Sequence, residues 1–251
     1  MLSVEQTRLR ALLDKKSIEN MLKRLKYSSN KTILDVGCGP GGIWPILRKF
    51  APEGKIYAFD IITLDDDWIY QYDVTFTSSD YRDLRYQDNF FDCIIARMVF
   101  DSVSVEQTID LSELIRVAKN HSKVGIICKK DIMPIVTSKP RHYDKLCRVY
   151  RAMHPKQNNF YLEVLRRLRW YGIVNISVNI QVNDNVSFGC EELIRYYFPG
   201  SWKIENDAFY KTNLFTESEL FEYNEDLKEI IRNPLEYVAF SQVHIVGEIQ
   251  K

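Results

Sequence analysis

The spacing of apolar positions changes near residue 30. Before it, Leu9, Leu12 and Leu13, then Ile18, Met21, Leu22 and Leu25, recur at i, i+3, i+4 intervals, the period of an amphipathic helix. Ser3 and Gln6 supply a capping box for that helix. After Ser28-Ser29-Asn30 come short β-rich runs: Ile33 to Val36, Ile56 to Phe59, Val74 to Thr77, Cys93 to Ala96 and Val124 to Cys128. These read as buried strands. Ile43 to Phe50 follows the first run directly, and Leu111, Leu114, Ile115 and Ala118 repeat with helical spacing. Strand alternating with helix predicts an α/β fold with a parallel, doubly wound sheet.

Beyond Lys130 the spacing predicts a helix around Tyr143 to Ala152 and another with Tyr161, Val164, Leu165 and Leu168 on one face, capped by Gly172. A further helix begins at Thr216, with Glu219 completing a capping box, and stops near Asn233-Pro234. Ile173 to Val182 and Tyr237 to Ile249 bring the expected strands to seven. With no repeat, low-complexity tract or Gly/Ser/Pro linker, one domain over residues 1–251 is expected.

Composition narrows the classes. An apolar fraction of 45% and a charged fraction of 27% are those of a folded globular chain. Lys and Arg, 34 in all, balance 34 Asp and Glu, which removes the positive field on which non-specific nucleic-acid binding rests. No apolar run reaches the length of a membrane span and no signal-peptide core is present, so a cytoplasmic chain without membrane association is expected. Five cysteines, an odd number with no C-x-x-C pair, suggest buried thiols instead of disulfides or a metal site.

The stretch richest in chemistry is ILDVGCGPGG, Ile33 to Gly42. Gly37, Gly39 and Gly42 fit G-x-G-x-x-G, where a side chain would keep the backbone from a cofactor, and the helix that follows offers unpaired N–H groups. Asp35 stands two residues before the first glycine, either bracing the turn or touching the cofactor. Asp60 ends the second strand, placed to accept from ribose hydroxyls of a dinucleotide or of S-adenosylmethionine, or else an ordinary strand-end acid. Asp80, with Tyr81, follows the third strand and suits an adenine amine; Asp83 competes for that contact. Three acids in register specify more than the glycine loop alone.

On these residues the chain resembles the class I S-adenosylmethionine-dependent methyltransferases, within them the subgroup acting on small metabolites and natural products. ILDVGCGPGG resembles the first motif, AFD ending at Asp60 the second, and SSDYRDLRYQDNFFDCIIARMVF the run from acid through adenine contact to fourth strand. EQTRLRALLDKKSIENML resembles that subgroup's lid, and TESEL with the final strand its C-terminal half. The resemblance implies a Rossmann-like, mostly parallel seven-stranded sheet with an antiparallel last strand and an N-terminal helical lid. It divides one methyltransferase domain into a lid (1–28), a cofactor core (31–130) and substrate-shaping helices with the last two strands (131–251). S-adenosylmethionine would be the cofactor, with no metal. Asp35, Gly37, Cys38, Gly39, Asp60, Ile61, Asp80, Tyr81, Arg97 and Met98 would line its site. Candidate general bases are His142, Tyr143 and His154, each with an ordinary surface or core role as the alternative.

Two departures bear on this. The Lys-Pro-Gly-Gly common before the fifth strand is replaced by Lys119-Asn120-His121-Ser122, so that turn is built differently. The Asn/Asp-Pro-Pro-aromatic motif of DNA amino-methylating enzymes is absent where Ala96-Arg97-Met98-Val99-Phe100 stands, and Cys93 is not preceded by proline as in cytosine C5 enzymes. A small-molecule acceptor is expected and nucleic acid disfavoured. An RNA or protein methyltransferase, a non-catalytic cofactor-binding partner subunit and a nicotinamide oxidoreductase stand as alternatives, and a homodimer is left open.

Overall fold

The computed structural model describes residues 3–64, 66–100, 109–130, 135–153, 160–196, 207, 209–210 and 212–251. The chain divides into two compact units, residues 14–130, 159–181 and 242–251 in the larger and residues 1–13, 131–158 and 182–241 in the smaller.

The larger unit is built on strands β1 (Thr32–Val36), β2 (Lys55–Asp60), β3 (Val74–Ser78), β4 (Phe91–Arg97) and β5 (Ala118–Lys129). They are parallel, in the order β3-β2-β1-β4-β5. The chain runs outward from β1 to β3, then returns to place β4 on the other side of β1. That reversal is the switch point at which doubly wound sheets hold ligands, beyond the carboxyl ends of their strands. β8 (Val238–Glu248) lies antiparallel to β5, with Gly125 opposite Val246, and β7 (Val174–Asp184) pairs with β8. Leu34, Val36, Ile94, Ala96, Ile126 and Ile245 carry the core, which explains why these strands read as continuous apolar runs.

Three sequence expectations change here. Among the described residues the sheet has eight strands, not seven: the two-residue β6 (Ile135–Val136) pairs with the start of β8 inside the smaller unit, too short to register as a periodic signal. The N-terminal helix is two helices, α1 (Val4–Leu13) and α2 (Lys15–Leu25), because Asp14 leaves the helical path and sends its buried carboxylate to Arg97 and Gln242. Lys119-Asn120-His121-Ser122 is no separate turn; it belongs to β5, which starts directly after α5 (Ser112–Val117) and bulges between the Phe91–Ala118 and Cys93–Lys123 pairs. His121 takes φ +60° there, and its N–H donates to Ile249 O at 2.8 Å.

The residues expected to form a lid fall in both units. α1 belongs to the smaller, with the predicted Ser3–Gln6 capping box formed at 3.2 Å in both directions. α2 belongs to the larger and is a core helix: Ile18, Met21, Leu22 and Leu25 are fully buried, and a Cβ on Gly125 of β5 would meet Met21 Sδ at 2.7 Å. The larger unit also holds α3 (Trp44–Phe50), α4 (Asp67–Gln71) and α7 (Phe160–Trp170), the last stopped by Gly172 at φ +74° as expected.

The smaller unit contains α6 (Tyr143–Met153), α8 (Asn185–Phe188), α9 (Cys190–Tyr196) and α10 (Glu217–Arg232). The Thr216–Glu219 capping box starts α10 and Asn233 ends it. Leu146, Leu193, Phe209, Leu220, Leu227 and Val238 form its core.

Candidate functional site

β1 delivers the chain into the glycine bend. Gly37 takes φ +60°, and a Cβ there would stand 2.6 Å from Val99 Cγ2, so the bend lies against the end of β4 as closely as glycine permits. A second close approach is at Gly41, at φ +76° against the Trp44 ring, a position outside the predicted glycine triplet. The bend is tied to β2: Cys38 N donates to Phe59 O at 3.1 Å and Gly39 N donates to Asp60 Oδ2 at 2.7 Å.

Asp60 thus braces the loop with one oxygen, while Ile62 N donates to the other at 3.3 Å. Asp35 is 2% exposed, and Trp44 Nε1 donates to its Oδ2 at 3.1 Å. Burial pushes its carboxyl up to about 7, opposed by the indole bond. The geometry around Asp35 is that of the bracing alternative. Burial, with Asp35 and Asp60 adding to it, also pushes the Cys38 thiol up, away from thiolate chemistry.

After β3, Asp80 is turned to its own neighbour. Arg82 Nε donates to Asp80 Oδ1 at 2.8 Å and Nη2 to Oδ2 at 2.6 Å, while Arg82 N donates to Oδ1 at 2.9 Å. That ion pair holds the Asp80 carboxyl below the usual range. Tyr81 packs edge-on against Phe100, ring centroids 6.0 Å apart. Few local signals mark this turn; an Arg two residues after an Asp is the one that could have announced the pair.

These strand ends enclose a cavity of about 310 Å³, within the size range of small-ligand sites. Of the predicted residues, Gly37, Asp60, Ile61, Asp80, Tyr81 and Met98 line it. Asp35, Cys38, Gly39 and Arg97 stand outside that lining and support it through the bonds given above and below. Phe59, Ser79, Arg82 and Val99 line it too and were not singled out from sequence. Ser79 Oγ is buried, with no hydrogen-bond partner among the described residues. A buried hydroxyl without a partner is costly to the folded chain.

Arg97 turns away from the cavity to a buried polar cluster. Its guanidinium is paired through Nη2 and Nε with Asp14 Oδ2, the Nε bond being 3.1 Å. Gln242 Nε2 donates to Asp14 Oδ1 at 2.7 Å, and Ser17 Oγ lies 2.7 Å from His244 Nε2. Burial pushes the His244 imidazole down to about 4, so it is neutral at physiological pH.

Of the candidate bases, His142 and Tyr143 lie in the smaller unit, at the start of α6. His142 takes φ +62° and its Nε2 is 3.2 Å from Glu222 Oε2. His154 lies outside the described residues. Among the described residues no group of three His, Cys, Asp or Glu is placed to hold a metal, and no helix is long and apolar enough to cross a membrane.

A doubly wound sheet with a glycine bend after β1, acids after β2 and β3, and a cavity at the switch point has the class I methyltransferase architecture. Residues 6–128, just under half of the chain, match the family model described as a methyltransferase domain. No curated protein matches the chain. Among solved structures, it is similar to phosphoethanolamine N-methyltransferase 2 of Haemonchus contortus in complex with S-adenosyl-L-methionine, at 15% identity and a TM-score of 0.56 over 92% of this chain and 52% of that one. The complex of that nematode enzyme with phosphomonomethylethanolamine and S-adenosylhomocysteine gives 16% identity and a TM-score of 0.52 over the same shares. The YcgJ protein of Bacillus subtilis gives 15% identity and a TM-score of 0.53 over 94% of this chain and 99% of that one. The chain spans about half the length of the nematode enzyme, and at these identities the likeness is one of fold.

Proposed function

We propose that the chain transfers the methyl group of S-adenosylmethionine to an oxygen, nitrogen or carbon nucleophile of a small metabolite, in the cytoplasm. The observation that carries this reading is the cavity at the switch point, where Gly37 leaves no room for a Cβ and Asp60 and Asp80 present carboxylates. These features fit the group: a glycine bend for the methionine portion, Asp60 for the ribose hydroxyls, and Asp80 with Tyr81 and Ser79 for the adenine. Met98 walls the methionine side. Asp35, Cys38, Gly39 and Arg97 act from behind, holding the bend and the end of β4.

The bound cofactor supplies a methyl carbon already made electrophilic by a sulfonium. The chain's own task is to hold the acceptor in line at about 3 to 3.5 Å and to exclude water. Where the acceptor must lose a proton, His142, with Tyr143 beside it, is the proposed base; the Glu222 carboxylate orients its ring.

Calorimetric titration with S-adenosylmethionine and S-adenosylhomocysteine tests the cofactor, and both are expected to bind. A broad acceptor screen with radiolabelled methyl donor tests the transfer. Binding of a nicotinamide dinucleotide in place of both would overturn the reading.

A further inference from the structure

Resting on that reading of the cavity, we infer that Arg82 is a specificity residue at the nucleobase end, a displaceable latch that occupies the carboxylate the ligand needs. Both Arg82 and Asp80 line the cavity. The guanidinium grips both oxygens of Asp80, at 2.8 and 2.6 Å, while its carbon lies 5.8 Å from the centroid of the Tyr81 ring.

The bonds at Asp80 are of two kinds. A carboxylate oxygen accepts about two hydrogen bonds, and Oδ1 already has two, from Arg82 N and Arg82 Nε. The backbone bond survives any movement of the Arg82 side chain, so it keeps Asp80 aimed when the guanidinium leaves. The side-chain bonds do not survive, and what they release is a carboxylate face suited to an exocyclic amine. Removal is cheap because the pair is in contact with solvent: the side chains are 51% and 36% exposed, and exposed ion pairs contribute little net stability. A deeply buried pair, such as Arg97 with Asp14, could not be exchanged in this way.

The exchange gives the site a filter. A ligand enters the nucleobase end only if it repays the lost guanidinium with a donor to Asp80. An adenine with its amine does so, and a purine with a carbonyl at that position does not, since it would face the carboxylate with an acceptor.

The experiment is calorimetric titration of the full chain and its variants with S-adenosylhomocysteine, and with the analogue whose adenine amine is replaced by oxygen. Arg82→Ala is expected to bind S-adenosylhomocysteine two- to fivefold more tightly than the native chain, with the oxygen analogue still rejected by the Asp80 carboxylate. Asp80→Asn is expected to weaken binding, and in that background Arg82→Ala should change nothing. Circular dichroism of each variant checks that the fold is kept. Weaker binding by Arg82→Ala would make Arg82 a wall contact and overturn the latch. Unchanged affinity would make the pair a bystander and overturn it too. Either result, with native binding and an Asp60→Ala loss intact, leaves the cofactor reading standing. A native chain that binds no S-adenosylhomocysteine overturns both.

Discussion

Two polar regions of the larger unit sit at the ends of neighbouring strands and use opposite physics. Around the cavity, Asp80 and Arg82 remain in contact with solvent. On the other side of β4, Asp14, Ser17, Gln242 and His244 are each no more than 4% exposed. A carboxylate in the first region can change partners at small cost. One in the second is committed to the partners it folded with, because an unpaired charge there has no water to fall back on. Met98 and Arg97 are consecutive, yet one faces the ligand space and the other the buried cluster. The end of β4 therefore ties an exchangeable site to a fixed frame.

The largest test of this contrast is Arg97→Ala, which strands the Asp14 carboxylate. A loss of about 3–5 kcal/mol is expected on chemical denaturation, while Arg82→Ala should cost less than about 1 kcal/mol by the same measurement. Comparable losses would erase the distinction. Next, Asp60→Ala should weaken binding of S-adenosylhomocysteine by about 1.5 to 3 kcal/mol in calorimetry. That figure includes the loosened bend, since Gly39 N loses its acceptor.

A smaller effect lies in the pH dependence. Asp35 is raised to about 7, so between about 4 and 7 the unfolded chain ionises it first and stability falls as pH rises. His244 is lowered to about 4, so below about 6.5 the unfolded chain takes up its proton first and stability falls as pH drops. In the shared window the two slopes oppose and the native chain should be nearly flat. Asp35→Asn should unmask a rise with pH and His244→Gln a fall, each approaching about 1.4 kcal/mol per pH unit. Denaturant midpoints at steps of about one pH unit inside that window check both; equal slopes in the two variants would show that neither group titrates as its burial implies. Smallest is Ser79→Ala, which removes a buried hydroxyl with no partner among the described residues: on chemical denaturation stability should hold or rise by up to about 1 kcal/mol.

What was legible in the sequence was local. The bend after β1 is written in glycine spacing, and Asp60 is recognisable because it directly ends an apolar run, Asp80 because it follows one after two serines. Capping boxes at Ser3 and Thr216 are likewise settled within four residues. What was illegible depended on distant partners. Asp14 breaks the N-terminal helix because of an arginine 83 positions away, and no periodicity carries that information. The amphipathic period of α2 was read correctly, but nothing local says whether its apolar face covers a ligand or the sheet; the burial of Met21 and Leu25 against Gly125 decides for the sheet. Ser79 and Arg82 were overlooked for another reason: a serine or arginine in a turn is ordinary until its neighbours are known.

β8 carries a consequence for synthesis of the chain. Gln242 and His244, which complete the buried cluster around Asp14 and Ser17, follow those residues by more than two hundred positions. A nascent chain that has emerged only as far as Lys130 can pair β1 through β5, yet it leaves β5 as a bare apolar edge with half the Asp14 carboxylate unanswered. Such an intermediate is open to sticking edge-to-edge. The ribosome must therefore deliver more than a hundred further residues, about 110 by the positions involved, before that edge is sealed, and a slow or interrupted translation exposes it for longest.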